Sequence, residues 1–226
     1  MKNQRPIFIV GCPRSGAGII TEILNVLGAE VGEVNRAMEH IEIHNRVISP
    51  FLSFNKMDPN GQFPIPFFRP EWVTEKAISL FRHKIGTYLM PYPFAYKDSR
   101  LLLIHPVIDM AFPGARWIII RRDVEDIVQS CEKTGYMTAF ADAGIREQIG
   151  VATEKEGWEW WHGKYEYMLN ELKNAGVCYN EIWPTKLARK EYTEIKNVCE
   201  MLGLKWDIKQ VRHLLKKLKE EKQQWQ

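Results

Sequence analysis

The chain has 226 residues, 45% of them hydrophobic and 26% charged, which excludes a disordered polypeptide and leaves room for one α/β core but not for two generous ones. The formal net charge of +3 suits a small anionic ligand and gives no case for a nucleic-acid partner, and much of the basic excess sits at Lys216-Lys217-Leu218-Lys219. Cys12, Cys131, Cys178 and Cys199 stand singly without a C-x-x-C pair, the usage of a reduced, cytoplasmic protein. The apolar run near the N-terminus has the length of a strand and leads straight into a loop, so neither a signal peptide nor a membrane span is expected.

In chain order, residues 6–10 read as a buried first strand and 16–27 as a helix closed by Gly28. Residues 29–31 form a short second strand, and 33–52 a helix with Ile41, Val47 and Ile48 toward the core. From 51 to 68 the pattern breaks into Pro59-Asn60-Gly61 and Phe63-Pro64-Ile65-Pro66-Phe67-Phe68, a composition that resists regular structure and often covers a site. Helical spacing returns over 71–88, with Trp72, Ala77, Leu80 and Phe81 on one side. Residues 94–97 are the next buried strand. A helix over 101–112 is interrupted near Pro106 and stopped at Pro113-Gly114. Residues 115–121 are the strongest strand, apolar and β-branched as central parallel strands are, and they deliver Arg122 and Asp123 to a helix ending near 133. Residues 154–174 carry Trp158, Trp161, Tyr165, Leu169 and Leu172 at helical spacing. A strand over 177–180 and helices over 192–202 and 207–222 complete the chain. This alternation predicts one domain over 1–226, an α/β fold of three layers, α/β/α, around a mostly parallel sheet, with an aromatic and proline-rich insertion around 51–93.

The chemistry starts at Gly11-Cys12-Pro13-Arg14-Ser15-Gly16-Ala17-Gly18. A buried strand runs into a glycine-bounded turn and then a helix, which presents free backbone N–H groups to an anion. The G-x-x-x-x-G skeleton of a nucleotide P-loop is present, but Ala17-Gly18 replace the Lys-Ser or Lys-Thr that meets phosphates and Mg²⁺. A metal-dependent NTPase is therefore disfavoured. The remaining cation, hydroxyl and helix N-terminus suit one terminal phosphate or sulfate without a metal. Cys12 is either a thiol activated by those N–H groups or a small residue filling space.

These residues resemble the loop of the sulfotransferases, which move the sulfuryl group of 3′-phosphoadenosine 5′-phosphosulfate (PAPS) to an acceptor. The resemblance extends along the chain. Arg122-Asp123-Val124-Glu125-Asp126-Ile127-Val128-Gln129-Ser130 is similar to the family's 3′-phosphate element. Tyr96-Lys97-Asp98-Ser99-Arg100 is similar to its Lys-Asp-Pro-Arg segment, with Ser99 for the proline. Trp158 and Trp161, then Val177-Cys178-Tyr179-Asn180-Glu181, resemble its tryptophan helix and Tyr-Glu-Asp strand.

The resemblance implies a P-loop-like sulfotransferase fold and a donor site made of Pro13, Arg14, Ser15, Gly16, Ala17 and Gly18. It assigns Arg122 and Ser130 to the 3′-phosphate, and Tyr179 is a candidate for the adenine. Lys97 becomes the cation at the sulfuryl group, Arg14 its partner, and no metal is needed. The histidine of the cytosolic enzymes falls at Ser99. The base is then Glu39, with His40 and Asp98 as further candidates. Each has an alternative in the residues themselves: Glu39 and His40 on a solvated helix face, Asp98 paired with Lys97 or capping the next helix, Arg122-Asp123 a surface charge pair. The acceptor class stays open among small molecules, lipids and carbohydrates. A non-catalytic binder of PAPS or its bisphosphate product, and an atypical P-loop kinase, are the competing expectations.

Overall fold

The computed structural model describes residues 5–63, 70–88 and 92–224. Apolar side chains on both sides of the strands force helices onto both faces of the sheet. The strands are β1 (Ile7–Gly11), β2 (Ala95–Lys97), β3 (Arg116–Ile120) and β4 (Cys178–Ile182), all parallel, in the order β2-β1-β3-β4. The helices are α1 (Ala17–Val26), α2 (Ile41–Ile43), α3 (Ser49–Phe54), α4 (Glu75–Gly86), α5 (His105–Ala111), α6 (Val124–Glu132), α7 (Ala143–Ile149), α8 (Glu154–Asn174), α9 (Pro184–Ala188), α10 (Thr193–Leu202) and α11 (Ile208–Gln224). No described helix is long and apolar enough to cross a membrane.

Phe8, Val10, Trp117 and Ile119 point to one face of the sheet, where they join Trp158, Trp161, Tyr165, Leu169 and Leu172 of α8. Ile7, Ile9, Ile118 and Ile120 point to the other, among Ile20, Ile23 and Leu24 of α1 and Val198 and Leu202 of α10. Two apolar clusters separated by a sheet are the expected three layers. The register sets the working edge: Gly11 pairs with Ile120 and Ile120 with Ile182, while Ile9 pairs with Lys97. The carboxyl ends of all four strands thus open on one side, where parallel sheets bind ligands.

Several expectations change. The strand expected over 29–31 is a single bridge, Glu30 to Phe94. The helix expected over 33–52 begins only at Ile41, because the Asn35 side chain accepts the N–H groups of Ala37 and Glu39 and Met38 adopts φ 62°, a turn that competes with helix. Glu39 and His40 therefore stand on a turn rather than a solvated helix face. A π-helical turn, His44–Ile48, joins α2 to α3. The 101–112 helix divides into a 3₁₀ segment, Ser99–Ile104, and α5, with Pro106 in the first turn of α5, where its missing N–H costs nothing. Leu80, assigned to the core side of α4, is 40% exposed. Helices α7 and α9 had not been expected. The run 64–69 of the aromatic insertion lies outside the described residues.

Candidate active site

At the end of β1, Gly11 presses on β3 so closely that a Cβ there would sit 2.5 Å from the Ile120 carbonyl oxygen and 2.8 Å from Ser15 Oγ. Gly16 then turns the chain into α1 with φ 94° and no side-chain cap, so the first-turn N–H groups around Ala17 and Gly18 lack intrahelical acceptors. Ser15 is buried, and its Oγ has no hydrogen-bond partner. Arg14 holds φ 71°, a left-handed strain of about 1–3 kcal/mol of the kind that clusters at ligand clamps.

The two arginines are in contact. Arg122 Nη1 donates to the Arg14 carbonyl oxygen at 2.8 Å, and Arg14 Nε donates to Ser130 Oγ at 2.9 Å. Arg14 Nη1 donates to the Tyr136 hydroxyl at 2.6 Å, with the guanidinium 5.7 Å from the ring centre. Arg122 also pairs with Asp126 one turn along α6, at 3.5 Å. Pro13 is half-buried and Ala17 buried. An unpartnered hydroxyl, uncapped N–H groups and two guanidinium groups fit a ligand with more than one anionic group.

A second cluster adjoins the loop. Lys97, at the tip of β2, donates to the Ala37 carbonyl oxygen at 3.0 Å and to Glu39 Oε1 at 3.1 Å. The same Ala37 carbonyl lies 3.8 Å from where a Gly18 Cβ would stand, so the turn bearing Glu39 bridges Lys97 to the first turn of α1. Glu39 Oε2 is 3.3 Å from His44 Nδ1, 3.6 Å from Arg100 Nη2 and accepts from Asn35 Nδ2 at 3.2 Å. Burial alone would raise the Glu39 carboxyl, but the His44 hydrogen bond and the charges of Lys97 and Arg100 outweigh it and hold the group well below the usual carboxylate range.

The other two base candidates are otherwise engaged. Asp98 is fully buried. Its Oδ1 accepts from the Arg100 N–H at 2.9 Å and Nε at 2.8 Å, and its Oδ2 from the Tyr96 hydroxyl at 2.8 Å and from Arg100 Nη2. It caps the 3₁₀ segment, as one of its alternatives had it, but its ion pair is with Arg100. His40 caps α2 through Nδ1 and packs its ring on Tyr88 and Phe94, centroids 4.5 and 6.0 Å away; burial lowers its pKa. Cys12 is buried, and burial pushes its thiol up, the behaviour of a packing residue. Glu39, His44 and Asp98 bring three donor atoms within 4.8 Å of one another, yet the Arg100 guanidinium lies among them and fills that space with positive charge.

Tyr179 is not brought to the loop. It pairs with Trp117, three residues or about 10 Å short of the strand tip, and its ring lies under Lys173 Nζ at 5.6 Å. The residues at that tip are Trp183, whose ring faces Arg121 at 5.9 Å, and Pro184, 3.2 Å from a Cβ built at Gly16. The sequence motifs give no role to His44 or to Arg100, which the fold sets against Glu39. Tyr136, 122 positions from Arg14, left no local signal.

The geometry has counterparts among solved proteins. A sulfotransferase domain from the curacin biosynthetic pathway superposes with a TM-score of 0.51 at 11% identity, over 91% of this chain and 76% of that one. Sulfotransferase STF9 from Mycobacterium avium superposes with a TM-score of 0.54 at 11% identity, over 97% of this chain and 69% of that one. At such identity the likeness shows the fold, which is that of the sulfotransferases. A search of curated sequences gives no significant match. The sequence profile described as "Sulfotransferase family" matches residues 6–208, and the chain belongs to that family.

Proposed function

We propose that the chain, acting as one unit in the cytoplasm, is a sulfotransferase that uses PAPS and delivers sulfate to a hydroxyl or amine of a small-molecule, lipid or carbohydrate acceptor. The observation that supports it best is that Arg122 and Ser130 both contact Arg14, in the loop that also holds the unpartnered Ser15 Oγ and leads into the uncapped N-terminus of α1. A nucleotide phosphorylated at both 3′ and 5′ presents two anionic groups to those two cationic grips.

When bound, PAPS supplies an activated S–O bond to its 5′-phosphate. Arg122 and Ser130 hold the 3′-phosphate, and Pro13, Ser15, Gly16, Ala17 and Gly18 surround the 5′-phosphate with N–H groups. As the acceptor's oxygen or nitrogen bonds to sulfur and the S–O bond breaks, Arg14 and Lys97 carry the charge that collects on the departing phosphate. That work requires no metal. Glu39 receives the acceptor's proton. It is ionised and partly exposed beside Lys97, whereas Asp98 is fully buried and His40 is buried against Tyr88 and Phe94.

One observation favours a second reading, a non-catalytic binder of PAPS or its bisphosphate: Ala17 and Gly18 offer no hydroxyl, and Ser99 stands where a base would fall. Incubation with ³⁵S-labelled PAPS and an acceptor panel separates the two, since only the enzyme moves label. Thermal shifts with adenosine 3′,5′-bisphosphate against ATP address the kinase alternative, which requires the larger shift from ATP. Arg122→Ala should weaken the bisphosphate by about 10- to 100-fold, the worth of a lost charge-assisted hydrogen bond, and leave adenosine 5′-phosphate nearly unchanged. Equal losses for both nucleotides overturn the role given to Arg122.

A further inference from the structure

Arg14 is a long side chain at a strained backbone position, and what holds its head is unusual. Tyr136 lies beyond the end of α6 and is 61% exposed, so core packing does not require its ring to sit where it does. A buried amide fixes the backbone that carries it. Gln62 Nε2 donates to the Tyr136 carbonyl oxygen at 2.8 Å, while Gln62 Oε1 accepts from the N–H groups of Thr138 at 3.1 Å and Ala139 at 3.2 Å. Gln62 is itself fixed, its N–H donating to Asp58 Oδ2 at 2.8 Å, and the Met137 side chain between these bonds is buried. The loop bearing Tyr136 is thereby fastened to the turn at Asp58–Gln62, which lies within the aromatic insertion.

We propose that Tyr136 is a positioning residue for Arg14 and that Gln62 is its brace. The inference rests on reading Arg14 as the cation at the transferring group. The phenol hydroxyl takes one Nη1 proton and the ring face carries the guanidinium, while Ser130 takes Nε. The remaining donors stay available for an anion's oxygens. Freezing the guanidinium in advance removes a conformational cost that an unbraced arginine meets when ligand arrives or charge develops. The brace also ties Arg14 to the acceptor-side segment, so displacement of residues 58–62 reaches the donor loop through one amide. Sequence distance hides this arrangement: Gln62 and Tyr136 are 74 positions apart.

The test uses the full chain with Tyr136→Phe, Tyr136→Ala and Gln62→Ala, each checked for an unchanged melting temperature. The first readout is the rate at which phenylglyoxal modifies Arg14, followed by peptide mass spectrometry with Arg122 as internal reference. The second is kcat and KM for PAPS. The expected result is several-fold faster modification of Arg14 in Tyr136→Ala and a kcat lower by about tenfold with a smaller change in KM. Tyr136→Phe should fall between, since it keeps the ring and loses the hydroxyl, and the loss of kcat should vanish in an Arg14→Ala background. Unchanged modification of Arg14 in Tyr136→Ala overturns the proposal, as does a kcat loss of equal size with and without Arg14. If the wild type turns over no PAPS while Tyr136→Ala still speeds Arg14 modification, the sulfotransferase reading falls and the positioning contact stands.

Discussion

Glu39 carries the sharpest consequence at the scale of single residues. Its carboxylate meets Lys97, Arg100, His44 and Asn35, partners that keep it ionised and also make it a weaker proton acceptor. If it is the base, its catalytic share sits near the low end for such groups, about 10²-fold. Its folded-state pKa is depressed below an unfolded value of about 4.3, so its stabilisation is complete above that pH and is lost as pH falls through the folded value. Glu39→Gln should therefore lower kcat by about 10²-fold and destabilise the protein at pH 7 by about 1.5–3 kcal/mol. Its stability should also fall less than the wild type's between pH 5 and pH 3, as followed by denaturant midpoints. A parallel decline in both proteins would show that Glu39 does not carry that titration. The positions of Arg14 and Lys97 were legible because each continues a recognisable strand, whereas that of Glu39 was not, because it depends on a turn expected as helix. Tyr136 and Gln62 were not, because their contacts join segments far apart in the chain.

Among the elements, α8 is legible throughout, whereas the turn ahead of α2 is not. Residues 154–174 repeat aromatic and aliphatic side chains at helical spacing, and the helix spans that interval, opened by a reciprocal capping box between Thr153 and Glu156. Trp161 is fully buried and donates Nε1–H to the Gly61 carbonyl oxygen at 3.1 Å, fastening α8 to a turn within the aromatic insertion. Trp161→Ala should cost about 3–5 kcal/mol and Thr153→Ala about 1 kcal/mol, measured by equilibrium unfolding. Similar small losses for both would mean that α8 is not the principal support of its face. The stretch 33–40 was expected to belong to a helix over 33–52 whose core contacts, Ile41, Val47 and Ile48, all lie beyond it. It folds otherwise because Asn35 and the left-handed Met38 satisfy locally the N–H groups that a helix would use. That exception sets Glu39 beside Lys97.

Across the whole molecule, burial lowers the pKa of His40, His105 and His162, on elements as separate as the α2 cap, α5 and α8. Each has an unfolded value near 6.5, so as pH falls through that value the unfolded chain takes up protons first and the folded state loses stability. Denaturant midpoints should decline from pH 7.5 to pH 5.5, ahead of the Glu39 titration, and flatten in a variant with all three histidines changed to Gln. A flat wild-type profile over that window would contradict their burial as neutral rings. By itself the sequence determined the layered α/β class, the parallel strands, the glycine-bounded strand-to-helix loop and the family, because hydrophobic period, glycine spacing and motif residues are local properties of the chain. Only the tertiary structure decided that Arg122 reaches the Arg14 carbonyl, that Asp98 belongs to Arg100, that Tyr179 falls short of the strand tip, and that Tyr136 reaches Arg14. Those facts depend on strand register and on long-range hydrogen bonds, which no local pattern encodes.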